Sequence, residues 1–265
     1  MSEDKKNAVV SEEAVEPQQP VNPVELALFE EMAKAGVLFG RRRSKTNPKM
    51  KPFIHTTRSG FQIIDLQQTN FAIEAAQAFL KEVVKKGQSV LVAATTPAGE
   101  APAIKFADKY TLPRVTLRWL GGTLSNFEVM SKRISHLIAR KADKAAGKLD
   151  KYTKKERVVI DKEIERLTKL FGGLEKMNML PGALLVIGAE QHRTAIREAN
   201  RMKIPVIAIA NTDTNPDNIQ YLIPANDSSV ASVSYILNKL DEAIAEGIKE
   251  KTTAAPIKPA EVKKA

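Results

Sequence analysis

Three short runs constrain this chain more than anything else in it. They are "SVLVAATT" (89–96), "ALLVIGA" (183–189) and "PVIAIANT" (205–212). Each is apolar at consecutive positions, so both faces of the strand must be covered. Between them lie segments with helical spacing. Thr69 to Lys86 carries Phe71, Ala75, Ala78, Phe79 and Val83 and stops at Gly87. Helices are also expected over Pro97–Tyr110, Arg193–Met202 and Ser228–Gly247, and a short one over Pro23–Ala35, ended by Gly36. Strands that alternate with helices and are apolar on both faces predict an α/β fold, a flavodoxin-like doubly wound parallel sheet. Counting "FQIIDL" (61–66) and "RVTL" (114–117) gives about five strands.

One stretch breaks the alternation. Phe127, Met130, Ile134 and Leu137 are spaced three, four, three; Ile160, Ile164, Leu167 and Phe171 are spaced four, three, four. These are narrow heptad seams. "TKKE" (153–156) is a capping box for the second run, and Gly172 and Gly173 close it. Residues 124–171 are therefore expected to form an inserted antiparallel helical hairpin, a coiled coil projecting roughly 30 Å as a semi-independent arm. The domain reading is an α/β domain over 23–123 and 172–248, interrupted by this hairpin, with disordered tails at 1–22 (acidic) and 249–265.

The hairpin begins at "RWLGGTLSNF" (118–127), which holds the only tryptophan. We read it as a structural corner. Trp119 is the anchor, Gly121 and Gly122 bend the chain, Thr123 and Asn126 complete the turn, and Ser125 with Glu128 offers another capping box. Arg118, leaving the strand on the opposite side from Trp119, is expected to face RNA or a neighbouring protein.

Signals for catalysis are weak. No dinucleotide fingerprint follows a strand, and no P-loop occurs. His55, His136 and His192 are scattered without metal-ligand spacing. Asp213 and Asp217 in "NTDTNPD" (211–217) suit a cation or, more commonly, a turn. No metal, cofactor or catalytic residue is assigned. With no cysteine and no apolar run of membrane length, the chain is expected in a reducing, cytoplasmic compartment, away from membranes.

The strongest chemical signal is positive charge. The chain carries 41 Lys and Arg against 31 Asp and Glu, a formal net charge of +10. Such a balance speaks of anionic partners. Residues 36–60 contain Arg41, Arg42, Arg43, Lys45, Lys49, Lys51 and Arg58 and no acid, and Asn47 lies among them. Two prolines and three glycines predict an irregular loop, pinned to the core by Phe39, Met50, Phe53 and Ile54. An anchored basic loop suits phosphate contacts that position without reading bases. Lys132 and Arg133 extend the charge onto the hairpin.

The motifs "AGVLFGRRRSKTNPKMKPFI", "IIDLQQT", "RWLGGTLSNF", "LTKLFGGLEKMNMLPGALLVI", "IPVIAIANTDTNPD" and "IPANDSSV" occur in this order. Together they resemble the signatures of bacterial small-subunit ribosomal protein two, the universal S-two family, over about residues 24–245. The resemblance implies a flavodoxin-like domain with a protruding coiled coil, binding 16S ribosomal RNA and neighbouring small-subunit proteins, without catalysis. In relatives it also implies a surface for ribosomal protein S-one. This chain departs from the usual pattern at Leu38, Arg41, Thr46, Gly188, Arg193 and Asn211, where imidazole, aromatic or carboxylate side chains are common. Those departures leave the S-one surface and any metal site of relatives open. Two other readings stand beside this one: an extraribosomal RNA-binding scaffold, and a flavodoxin-like enzyme that binds a nucleotide.

Overall fold

The computed structural model describes residues 23–151 and 153–253. Five strands form the expected parallel sheet: β4 (Val90–Ala93), β5 (Arg114–Val115), β6 (Ala183–Ile187), β7 (Val206–Ala210) and β8 (Tyr221–Pro224). Their order is β5-β4-β6-β7-β8. Numbered along this sheet alone, that is 2-1-3-4-5, the flavodoxin-like order, with its switch point between β4 and β6.

The count was right, but one member was not. "FQII" does not join this sheet; the fifth strand is "YLIP" (221–224). It sits at the sheet's edge, where Pro224 removes no needed donor. Phe61–Ile64 (β3) instead lies between Phe39–Arg42 (β1) and Ile54–Arg58 (β2) in a separate antiparallel sheet, order β1-β3-β2. The segment expected as an irregular loop thus supplies two strands of this sheet, joined by short 3-10 turns at 43–45 and 48–53. The turn explains it: Ser59 and Gly60 both have positive φ, 51° and 79°. That is the two-residue hairpin geometry that matches strand twist.

Alternate residues of the buried strands feed two cores, as a period of two requires. Val90, Val92, Leu185, Ile187, Ile207 and Ile209 face α2 (Leu66–Lys85), α3 (Pro97–Lys109) and α7 (Val230–Thr253). Met32 of α1 (Pro23–Lys34) joins this side. The face of α2 that packs is Thr69, Ile73, Ala76, Leu80, Val83 and Val84, not the expected stripe; Phe71 is 56% exposed. Alanines all round this helix offered several stripes, and the branched Ile73 and Leu80 decide which one is buried.

Leu91, Ala93, Leu184, Val186, Ala208 and Ala210 face the other side. There they meet α6 (Arg193–Arg201) and the two helices expected after the corner, α4 (Phe127–Ala145) and α5 (Lys154–Phe171). The α5 capping box forms, with Thr153 N–H donating to Glu156 Oε2 at 2.9 Å. Met130, Ile134, Leu137, Ile164 and Phe171 belong to the same apolar cluster as the sheet residues. The heptad seam is therefore also a core face. Lys144 pairs with Asp161 across the two helices at 2.7 Å. The Ser125–Glu128 box does not form: α4 starts after Asn126 with no side-chain cap.

Residues 249–253, expected in the C-terminal tail, continue α7. The proposed tail at 1–22, and the remainder at 254–265, lie outside the described residues.

Candidate functional site

A flavodoxin-like sheet takes ligands beyond the carboxyl ends of its strands, at the switch point. Here that crevice holds His192. The residue is 1% exposed. Its Nδ1 lies 2.8 Å from the Gly188 carbonyl, and Thr95 N–H points at its Nε2 at 3.2 Å. A carbonyl can only accept and an amide only donate, so the ring is neutral with its proton on Nδ1. Burial pushes its pKa below the ordinary imidazole value, opposed in part by the Gly188 hydrogen bond. Gly188 has φ +81°, and a Cβ there would stand 2.7 Å from Gln191 Oε1. The switch point is filled by the protein's own side chains.

The ends of β7 and β8 are closed by the small sheet. Arg41 N–H donates to Thr212 Oγ1 at 2.9 Å, and Asn47 N–H to the Thr212 carbonyl at 2.8 Å. Asn226 N–H reaches the Val37 carbonyl at 3.1 Å. Gly40 lies so close that a Cβ would be 2.8 Å from Thr212 Cγ2 and 2.9 Å from the Gln62 carbonyl.

Between the two layers lies an ionic cluster. Arg41 Nη2 donates to Asp227 Oδ1 at 2.9 Å, and Arg41 Nε to Asp213 Oδ2 at 3.2 Å. Asp227 Oδ1 also accepts from Asn211 Nδ2 at 3.1 Å and Ser228 Oγ at 3.1 Å. Burial raises the Asp213 pKa, Arg41 lowers it and Asp227 raises it again. Three of the positions that depart from the S-two pattern converge on Asp227: Arg41, Asn211 and Gly188, whose hypothetical Cβ would lie 3.6 Å from Asp227 Oδ2. The cation that balances these carboxylates is a guanidinium. Among the described residues there is no group of three or more metal-ligating side chains. Arg41, assigned above to phosphate, thus points inward. The carboxylates of Asp213 and Asp217, offered as turn or cation residues, are taken by Arg41 and Lys49.

The rest of the basic segment points outward. Arg42, Arg43, Lys45, Lys51 and Arg58 are exposed, and none forms an ion pair with another described residue. Asn47 caps the short turn at 48–53 by accepting from Lys49 N–H at 3.0 Å. Met50 is fully buried and Phe53 and Ile54 half-buried, so these three pin the segment as expected. Phe39 does not: it is 52% exposed. Lys132 pairs with Glu128 one turn back. Arg133 lines a cavity of about 240 Å³ with Gly121, Gly122 and Asn126.

The corner is built around a residue that sequence reasoning missed. Glu198, in α6, is 9% exposed. Its Oε1 accepts from Trp119 Nε1 at 3.2 Å and Gly122 N–H at 2.9 Å. Its Oε2 accepts from Leu124 N–H at 3.0 Å, Ser125 N–H at 3.3 Å and Ser125 Oγ at 3.4 Å. Trp119 is half-buried against the second core and Arg118 is exposed. Thr123 is buried, its hydroxyl donating to the Leu120 carbonyl at 2.6 Å. Gly122 has φ +91° and needs to be glycine; Gly121 does not, since a Cβ there would meet nothing within 4 Å. No signal at Glu198 itself pointed to this. A glutamate in "AIREAN" reads as a solvated helix position until the corner is folded against it.

These features define a structural scaffold, with its charge on the surface and its ligand edge closed. The comparisons with known proteins agree. The profile of the ribosomal protein S2 family matches residues 32–247. The small ribosomal subunit protein uS2 of Roseiflexus sp. (strain RS-1) is 40% identical over 216 residues, covering 82% of each chain. That of Roseiflexus castenholzii is 39% identical over 216 residues, again 82% of each. That of Coprothermobacter proteolyticus is 38% identical over 219 residues, 83% of this chain and 82% of the relative. The chain belongs to the ribosomal protein S2 family. It is a structural protein of the small ribosomal subunit in translation, not an enzyme, and its place is the cytoplasmic ribosome. No described helix is long and apolar enough to cross a membrane.

Proposed function

We propose that this chain holds its place in the small subunit by binding 16S ribosomal RNA through the small antiparallel sheet and the turns that flank it, and neighbouring subunit proteins through other surfaces. The observation that carries the reading is Arg42, Arg43, Lys45, Lys51 and Arg58. They are exposed and unpaired among the described residues, and they sit on backbone fixed to the end of the main sheet. A positioned cation loses little freedom on meeting a phosphate, and each contact releases counterions. Arg118 and Arg133, exposed at the corner, form a second basic site. Lys49 contributes less, because Asp217 already neutralises it.

The test is the salt dependence of binding to a 16S RNA fragment. Changing Arg42, Arg43 and Lys51 to Ala should weaken binding and flatten the plot of log K against log salt by about one unit per lost contact. An unchanged slope would take this segment out of the RNA interface.

A further inference from the structure

The outer face of the small sheet carries more than charge. Phe61 occupies the central strand and is 43% exposed. In an antiparallel sheet, directly opposed residues point to the same face. Arg42 of β1 is opposed to Phe61 on one side, and Arg58 of β2 on the other. The row therefore reads Arg42–Phe61–Arg58, with the Arg42 guanidinium carbon 5.5 Å from the ring centroid. In the next row, two residues along β3, Phe39 is opposed to Ile63. The opposite face is buried: Gln62 is 6% exposed and Ile64 1%. Two phenyl rings are thus held in water on a backed, hydrogen-bonded frame: Phe61 between two guanidinium groups, and Phe39 in the adjacent row beside Ile63 and Thr56.

We propose that this face is a stacking platform for unpaired nucleotides of RNA. A base lies on Phe61, a neighbouring base on Phe39, and Arg42 and Arg58 take the flanking phosphates. The proposal rests on the reading that this segment faces RNA, and adds which RNA. An exposed ring alone would suit a protein side chain equally well. The flanking guanidinium groups, in a segment with no acid from residue 36 to 60, favour a polyanion. A paired base hides its π-face inside the duplex, whereas a splayed one offers it to an aromatic side chain. Arg42 does not obstruct such a base, because its planar guanidinium can stack on the other ring surface.

The experiment compares the full-length chain with Phe61→Leu, Phe61→Tyr and Arg42→Ala/Arg58→Ala. The probes are a fluorescein-labelled single-stranded 12-mer RNA and a blunt duplex of the same length, both read by anisotropy across a salt series. Phe61→Leu should weaken single-strand binding about tenfold, in the range that base–aromatic stacking supports. It should leave the salt slope and the duplex affinity unchanged, and Phe61→Tyr should bind like the parent. The double arginine variant should lower the single-strand slope by about 1.4 units, roughly 0.7 for each lost phosphate contact. If Phe61→Leu binds the single strand as the parent does while the arginine variant loses slope, the platform is wrong and the phosphate reading stands. Equal weakening on the duplex overturns stacking as well. A Phe61→Leu chain that binds RNA normally but fails to enter small subunits would assign the face to a protein partner, against the proposal. If the arginine variant also leaves the slope unchanged, the segment does not face RNA and both readings fall.

Discussion

Glu198 should prove to be the keystone of the "RWLGGTLSN" corner, and replacing it tests the whole account of that loop. One carboxylate accepts five hydrogen bonds, from Trp119, Gly122, Leu124 and Ser125. Hydrogen bonds to a charged group contribute about 1.5–3 kcal/mol each when considered singly. They are not additive, and only two of the five, to Gly122 and Leu124 N–H, are as short as 3.0 Å. Water entering the polar gap left by Glu198→Ala would recover part of the loss. We therefore expect a net cost of about 3–4 kcal/mol, set mostly by those two amides. For a domain of this size that lowers Tm by about 10 °C. Glu198→Gln is the sharper variant. It keeps shape and volume, but its NH2 group must face at least two of the donors, so it should lose nearly as much as Ala. Circular dichroism melts measure the cost. The emission of Trp119, the only tryptophan, reports whether the corner has opened. A Glu198→Gln chain that melts within 1–2 °C of the parent would show that the carboxylate does not hold the loop.

The other expectations are simpler. Arg41→Ala leaves Asp227 and Asp213 without their cation and should cost about 2–3 kcal/mol in a denaturant titration, less than a fully buried pair because Arg41 is 29% exposed. His192 has a folded pKa below its unfolded value. Its contribution to stability is therefore complete above about pH 6.5 and lost as the pH falls from there toward the folded pKa; NMR of the ring nitrogens should show the Nδ1–H tautomer at neutral pH and a depressed midpoint. Gly122→Val should cost about 2 kcal/mol for its positive φ, whereas Gly121→Val should melt like the parent. Leu137→Ala should lower the main thermal transition by about 2–4 kcal/mol, since it belongs to the second core; a separate early transition with the main one unmoved would make the hairpin an independent arm after all.

Much of this was readable in the residues, and what was not has identifiable causes. Apolar runs at β4, β6 and β7 are unambiguous because both faces must be buried. β8 escaped because "YLIP" is short, half-buried at two positions and ends in proline. The antiparallel sheet escaped because its charges suggested a loop; only the Ser59–Gly60 pair hinted at a hairpin. The seams of α4 and α5 were legible from spacing, yet spacing does not say what a seam packs against. Candidate binding residues were found by charge alone, and charge could not separate Arg41, which turns inward, from Arg42, which turns out. That division depends on Asp213 and Asp227, more than 170 residues away in sequence.

The same division explains how a ligand-binding architecture serves as a scaffold. A doubly wound sheet leaves an opening beyond its strand ends. In this chain the opening at β4 and β6 is filled by His192, and the one at β7 and β8 by a sheet keyed in through Arg41 and Gly40. Closing the opening with charged and hydrogen-bonded groups gives it a second use. The groups that fill the edge also fix the backbone of the segment that carries the outward cations. The inward arginine and its outward neighbour are thus parts of one device. If so, Arg41→Ala should weaken RNA binding although Arg41 touches no RNA, and should do so without changing the salt slope. The number of phosphate contacts stays the same while the sheet that presents them is loosened. A drop in slope equal to that of Arg42→Ala would instead show Arg41 itself on a phosphate.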